Sequence, residues 1–303
     1  MVNVLLGGAI GDSLGMPFET KPADYPPLLA WDGKTFGDSP HHKLSAGQFT
    51  DDTQMSILVA ESLIEMRTFD GAHLSQSYLK WIESGEARGY GRTTLLALNN
   101  IKNGVHWTES GIEGSYGNGT AMRAAPFGVF YRNDLYSLMN IVKMDSGITH
   151  RSNEAEAGAL AIAQAVYHII NEDPEYFIDE ICTTLPDSMV KDRLSSLKAM
   201  VDSQATPADI LKILGTKADV RQTVPAALYC YLKFNNYQDA VEAAIRAGGD
   251  TDTTAAIVGA LFGAKGSNAN IPLSYVDQIE DKKRLMLLDA QLFARNNLKY
   301  LGV

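Results

Sequence analysis

Two short oxygen-rich clusters, Thr50-Asp51-Asp52 and Asp250-Thr251-Asp252-Thr253, carry the most reactive pattern in this sequence. Carboxylates spaced this closely repel one another unless cations accompany them. An all-oxygen set of Asp and Thr donors suits Mg²⁺ or Mn²⁺ rather than zinc. Each cluster stands directly in front of a segment that reads as a helix, so the two look like halves of one metal site. If the halves meet, the expected protein is a hydrolase that works with two divalent cations. A single Asp ahead of a helix also serves as an N-cap, which is the competing reading of either cluster alone.

A third signal is the run Gly114-Ser115-Tyr116-Gly117-Asn118-Gly119-Thr120-Ala121-Met122-Arg123. Closely spaced glycines let backbone N–H groups converge on an anion. The run lacks the Gly-Lys-Ser/Thr ending of a phosphate-binding P-loop, and no strand precedes it. A tight turn between helices therefore competes with a phosphate cradle. Tyr116 either borders a nucleotide or packs beside the turn, and Arg123 suits a phosphate contact or a structural ion pair equally. Asp12, in a Gly-rich helical stretch, is expected to make a structural hydrogen bond. His150 either contacts ligand or bonds locally at a helix start, and His41 and His42 read as exposed loop residues.

The elements that must position these residues are helical. Met55, Leu58, Val59, Leu63 and Met66 form one helical face behind Asp52. Ala155, Ala159, Ala163, Val166 and Ile170 do the same behind Ser152 and Asn153, with Glu156 three residues after Asn153 in a capping-box spacing. The segment 253–264 is rich in Ala and Gly, and Gly259 with Gly263 predicts a buried helix that a second helix approaches closely. The stretches 190–215, 222–247 and 274–298 also read as helices. The expected fold is therefore all-α. The exception is 17–50, where Pro17, Pro22, Pro26, Pro27 and Pro40 prevent a continuous helix. This segment begins near Glu19 and ends at Thr50. It reads either as a lid whose base carries a catalytic carboxylate or as an exposed insertion.

At 303 residues and 45% hydrophobic, the chain can bury a large core. No Gly/Ser- or Pro-rich linker divides it, so a single domain over 1–303 is expected. The net charge of −10 argues against a nucleic-acid backbone as main partner. The N-terminal stretch has no basic region before its apolar residues and does not read as a signal peptide. No run is long enough to span a membrane. A cytoplasmic protein is the default expectation. Cys182 and Cys230 have no CxxC spacing, so neither a disulfide framework nor a thiolate metal site is indicated.

Taken together these residues resemble the ADP-ribosylglycohydrolase family, which includes the dinitrogenase reductase-activating glycohydrolases, the vertebrate ADP-ribosyl-serine and ADP-ribosyl-arginine hydrolases and the jellyfish crystallins. The matching pieces run in order along nearly the full chain: GGAIGDSLGMPFE from 7, FTDDTQM from 49, GYGRTT from 89, GSYGNGTAMRAAP from 114, ITHRSNEAEAGA from 148 and AGGDTDTTAAIVGALFGA from 247. The resemblance implies a compact, orthogonally packed all-α fold with a binuclear Mg²⁺ or Mn²⁺ centre at the bottom of a cleft. It implies that Thr50, Asp51 and Asp52 bind one ion, that Asp250 and Thr253 bind the second, and that Asp252 bridges both. Asp51 and Asp252 thereby enter the catalytic set with Glu19, which falls where the family has an acidic residue near the metals. Gly114, Ser115, Tyr116, Gly117, Asn118 and Gly119 match the loop that holds the diphosphate and distal ribose. Met122 and His150 match positions near the nucleotide, and Tyr90 to Arg92 match a loop lining the cleft.

One departure bears on substrate. In the dinitrogenase reductase-activating branch the segment matching GYGRTT begins with an Asp, whereas this chain has Gly89. The chain is more similar to the branch with a Tyr/Phe-Gly-Arg loop and a Ser-Tyr-Gly-Asn-Gly diphosphate loop. The implied activity is release of ADP-ribose from a protein side chain or a small conjugate. Its alternatives are a hydrolase of another nucleotide-like substrate on the same scaffold, or a noncatalytic relative of the crystallin kind.

Overall fold

The computed structural model describes residues 2–172 and 177–294. The described residues are organised by seventeen α-helices, with only two-residue strands between them, so the all-α expectation holds. The Thr251–Ala264 helix is buried along its entire length. The Val4–Gly15 helix runs antiparallel to it in near backbone contact. A Cβ on Gly7 would lie 2.3 Å from the Gly259 carbonyl oxygen, on Gly11 2.1 Å from that of Ala255, and on Gly15 2.4 Å from that of Thr251. Any side chain at these positions would force the helices apart. Asn3 N–H donates to Gly263 O at 2.9 Å, and Thr251 Oγ1 donates to Gly15 O at 2.8 Å, closing the two ends of the pair. The close approach seen in the spacing of Gly259 and Gly263 is thus met by glycines of the first helix. It brings Asp12 and Glu19 to the start of the Thr251–Ala264 helix.

Two helix N-termini are capped by carboxylates from other helices. Asp12 accepts from Thr50 N–H at 3.0 Å and Thr53 N–H at 3.1 Å, and from their hydroxyls at 2.8 and 2.6 Å, so it holds the start of the Asp51–Met66 helix. Asp289, on the Lys282–Ala294 helix, accepts from Leu5 and Leu6 N–H at 3.0 and 3.1 Å and caps the Val4–Gly15 helix in the same way. The Asn153–Ile170 helix begins as expected, although Ser152 rather than Asn153 is its cap. Arg123 and Asp145 are a fully buried ion pair at 3.0 Å, with Thr149 Oγ1 also accepting from the guanidinium, so Arg123 is structural.

Some expected helices are broken. The stretch 190–215 is three short helices, Met189–Ser195, Leu197–Asp202 and Pro207–Leu214; the first two part at Ser196, and Thr206 caps a new start for the third. The stretch 222–247 divides into Val220–Lys233 and Tyr237–Arg246, the second capped by Asn236. The last stretch contains Leu273–Val276 and Lys282–Ala294, and its end at 295–298 lies outside the described residues. The segment 17–50 is more ordered than a loop: it holds the short helix Pro26–Ala30 and the strand Lys21–Pro22. That strand pairs antiparallel with Gly248–Gly249, the residues just before Asp250. Among the described residues, no helix is long and apolar enough to cross a membrane.

Candidate functional site

The two acidic clusters meet. The Asp51–Met66 and Thr251–Ala264 helices present their first turns to one another, and Thr50, Asp51, Asp52, Asp250, Asp252 and Thr253 are all buried there. One carboxylate oxygen each from Asp12, Asp52 and Asp252 lie within 4.8 Å of one another, as do those of Glu19, Asp250 and Asp252. Asp252 is the member common to both groups.

Burial raises the pKa of Asp51, Asp52 and Asp252 well above the usual carboxylate range, and the neighbouring carboxylates push them further in the same direction. Asp250 is raised by burial as well, against hydrogen bonds that lower it. Asp12 is lifted to about 6 by burial, less than its complete enclosure alone would give, because the Thr50 and Thr53 donors favour its ionised form. Asp52 Oδ1 is buried with no hydrogen-bond partner, while its other oxygen accepts from Thr50 Oγ1 at 3.2 Å. Four buried acids that destabilise one another, one of them with an orphaned oxygen, form a set that either protonation or bound cations would neutralise. The donor set fits two hard divalent ions such as Mg²⁺ or Mn²⁺. Asp12 is engaged as a cap, in line with the structural role expected of it.

The glycine run closes one side of the cluster. Asn118 Nδ2 donates to Asp250 Oδ2 at 2.5 Å and to Thr223 Oγ1 at 2.9 Å, joining the loop to the acidic floor. Gly114 has a φ of 68°, a left-handed conformation that favours glycine. His150 lies beneath the loop. A Cβ on Gly117 would sit 3.0 Å from His150 Nε2, and one on Gly119 3.0 Å from Cε1, so these two glycines make room for the ring. Thr149 Oγ1 is 2.9 Å from Nδ1, and burial lowers the pKa to about 3. His150 is therefore neutral and makes the local hydrogen bond that was one of its two expected roles, with its other nitrogen facing the loop. Ser115 Oγ donates to Thr93 Oγ1 at 3.2 Å. Tyr116 is half exposed with the Arg221 guanidinium 4.1 Å above its ring, and Met122 is buried below. Tyr90 is exposed at the rim, edge-on to Trp81.

Gly89 is exposed and stands beside Asp51. Its φ is 70°, and a Cβ there would lie 3.0 Å from Asp51 Oδ1. The segment is held by Arg88, which pairs with Glu280 and donates to Phe49 O at 2.9 Å.

Two features escaped the sequence reading. His42 is not an exposed loop residue: its side chain is 6% exposed and its Nε2 contacts the Glu19 carboxylate. His41 is exposed, as expected. A groove of about 1140 Å³ also opens from Glu19 and Asp250 and is lined further out by Lys21, Leu211, Lys217 and Arg246. No motif announces it, since its walls come from three separate stretches of chain, 19–24, 206–222 and 243–250.

The profile of the family described as ADP-ribosylglycohydrolase matches residues 1–301. An uncharacterized protein of Archaeoglobus fulgidus is 31% identical over 96% of this chain and 95% of its own. The ADP-ribosylhydrolase ARH3 of Gallus gallus is 27% identical over 91% and 88% of the two chains. The ADP-ribosylarginine hydrolase Tri1 of Pseudomonas putida is also 27% identical, over 96% of this chain and 77% of its own. Among solved structures, an ADP-ribosylglycohydrolase-related protein complex superposes with a TM-score of 0.76 at 24% identity, covering 97% and 96% of the two chains, which establishes the shared fold.

Proposed function

The chain belongs to the ADP-ribosylglycohydrolase family, and from that premise we propose that it is a metal-dependent hydrolase that cleaves the glycosidic bond of ADP-ribose conjugates and releases ADP-ribose. The observation that carries the reading is the meeting of the two acidic clusters with Asp252 common to both groups. Thr50, Asp51 and Asp52 would hold one cation, Asp250 and Thr253 the other, and Asp252 both. Two Mg²⁺ or Mn²⁺ ions held there would supply Lewis acidity for orienting ribose hydroxyls and for lowering the pKa of a nearby water.

The chain's own residues supply the rest. Breaking the bond builds oxocarbenium-like positive charge on the ribose, which the carboxylates around Asp252 stabilise. Glu19 stands at the cleft, in one group with Asp250 and Asp252, where it can pass a proton to the leaving group or take one from the attacking water. Backbone N–H groups of Ser115 to Gly119 would hold the diphosphate, so an acidic protein would bind an anionic ligand without a lysine. Asn118 keeps that loop in register with Asp250. Neutral His150 supports the loop without adding charge. Tyr90, Tyr116 and Met122 border the nucleotide in this arrangement.

The leaving group is decided by assay. The protein is incubated with serine-ADP-ribosylated peptide, arginine-ADP-ribosylated peptide and a small ADP-ribose ester, and free ADP-ribose is quantified by chromatography. Release from at least one substrate in the presence of Mg²⁺ or Mn²⁺ is expected. Release from none of them rejects the proposal.

A further inference from the structure

The contact between Glu19 and His42 belongs to a larger constellation. One donor atom each from Glu19, His41 and His42 lie within 4.8 Å of one another, a group that shares Glu19 with one of the two containing Asp252 and adds two imidazoles to it. Adjacent residues of an extended strand point to opposite sides, yet these two rings stand on the same side, 4.7 Å apart and edge-to-face. The backbone explains this. Ser39 and Leu44 exchange hydrogen bonds at 2.9 and 3.1 Å and close a tight loop, with Lys43 at a left-handed φ of 58°. Ser39 Oγ donates to Met16 O at 3.2 Å, which fastens the loop to the end of the first helical segment just before Glu19.

We propose that Glu19, His41 and His42 form a third cation site, selective for a borderline transition metal such as Zn²⁺. Two imidazoles and one carboxylate are a donor set that zinc accepts, with a fourth position left open, whereas Mg²⁺ and Mn²⁺ prefer the all-oxygen aspartate cluster. Zinc at about 2.0–2.2 Å from each donor holds them about 3.4 Å apart. The donors now lie within 4.8 Å, so binding would require the exposed His41 side chain to move closer. Occupancy would fix Glu19 to the 39–44 loop and withdraw it from proton transfer, so Zn²⁺ would act as an inhibitor. The inhibitory consequence rests on the hydrolase reading above; the binding site does not.

The test titrates ZnCl₂ into the full-length protein kept saturated with Mg²⁺, following binding by calorimetry and by competition with a chromogenic chelator. One equivalent of Zn²⁺ is expected to bind, at least tenfold more weakly after His41→Ala and after His42→Ala. His41→Ala removes an exposed side chain and should leave Zn²⁺-free activity and Tm unchanged while relieving inhibition by Zn²⁺. Equal Zn²⁺ binding by wild type and His41→Ala assigns the ion to the aspartate cluster and overturns the proposal, as does the absence of binding. If no form releases ADP-ribose, the hydrolase reading fails, and the calorimetric comparison still decides the site.

Discussion

Asp252→Asn separates a metal ligand from a structural cap by its effect on stability, without any substrate. Asp252 lies within 4.8 Å of carboxylate oxygens of Asp12 and Asp52 on one side and of Glu19 and Asp250 on the other. Two unit charges at that distance repel by about 3 kcal/mol at an effective dielectric constant of about 20. Partial protonation already relieves part of this, since Asp51, Asp52 and Asp252 are raised well above the carboxylate range. Replacing Asp252 by its neutral isostere should therefore stabilise the metal-free protein by about 1–3 kcal/mol, a Tm increase of about 2–6 °C for a chain of this size. The amide oxygen still accepts from Thr253 N–H, a contact of 2.9 Å in the native protein. Saturating Mg²⁺ should raise the Tm of the wild type, because a cation at a hundred times its Kd adds about 2.7 kcal/mol. The variant should not respond. Differential scanning calorimetry in EDTA and in Mg²⁺ reads both effects. If Asp252→Asn lowers the Tm in EDTA and retains the full Mg²⁺ response, Asp252 is a structural cap and the electrostatic argument fails.

Glu19→Gln should lower kcat by about 10²–10⁴-fold while changing the Kd for ADP-ribose little, measured by steady-state kinetics and calorimetry; unchanged kcat removes Glu19 from proton transfer. Gly259→Ala places a methyl 2.1 Å from the Gly7 carbonyl oxygen and should cost about 1–3 kcal/mol or more in a denaturant titration. Gly8→Ala on the facing helix meets nothing closer than 3.4 Å and should be stabilising by about 0.5–1 kcal/mol; equal effects would refute the packing argument. Burial raises Asp289 from 3.8 to about 7, so the unfolded chain releases this proton near pH 4 and the folded chain near pH 7. Between these values the folded state binds more protons, and stability falls with rising pH by about 4 kcal/mol from this group. Asp289→Asn should flatten that part of the urea-derived stability profile, and an unchanged slope would show that Asp289 stays ionised as a cap.

What the sequence revealed followed from local rules. Thr50-Asp51-Asp52 and Asp250-Thr251-Asp252 are legible because acids ahead of apolar periodicity mark helix starts, and the structure sets both starts face to face. Gly259 and Gly263 foretold a close helix pair, although not that Gly7, Gly11 and Gly15 form the other side. The breaks within 190–215 and 222–247 were missed because apolar periodicity continues across them, while caps such as Thr206 and Asn236 end the run locally. His42 was misread for a different reason. Its partner Glu19 is brought to it by the 39–44 turn, a tertiary contact that no spacing encodes. Arg123 could be assigned only once Asp145 was seen beside it at 3.0 Å in the core.

The most direct test of the central claim is the anomalous scattering of Mn²⁺ in crystals of the protein with ADP-ribose. Two manganese peaks are expected between the starts of the Asp51–Met66 and Thr251–Ala264 helices, both coordinated by Asp252, with the distal ribose against them and the diphosphate along Gly114 to Gly119. Absence of manganese at the aspartates, or ADP-ribose bound with its ribose away from them, would contradict the account.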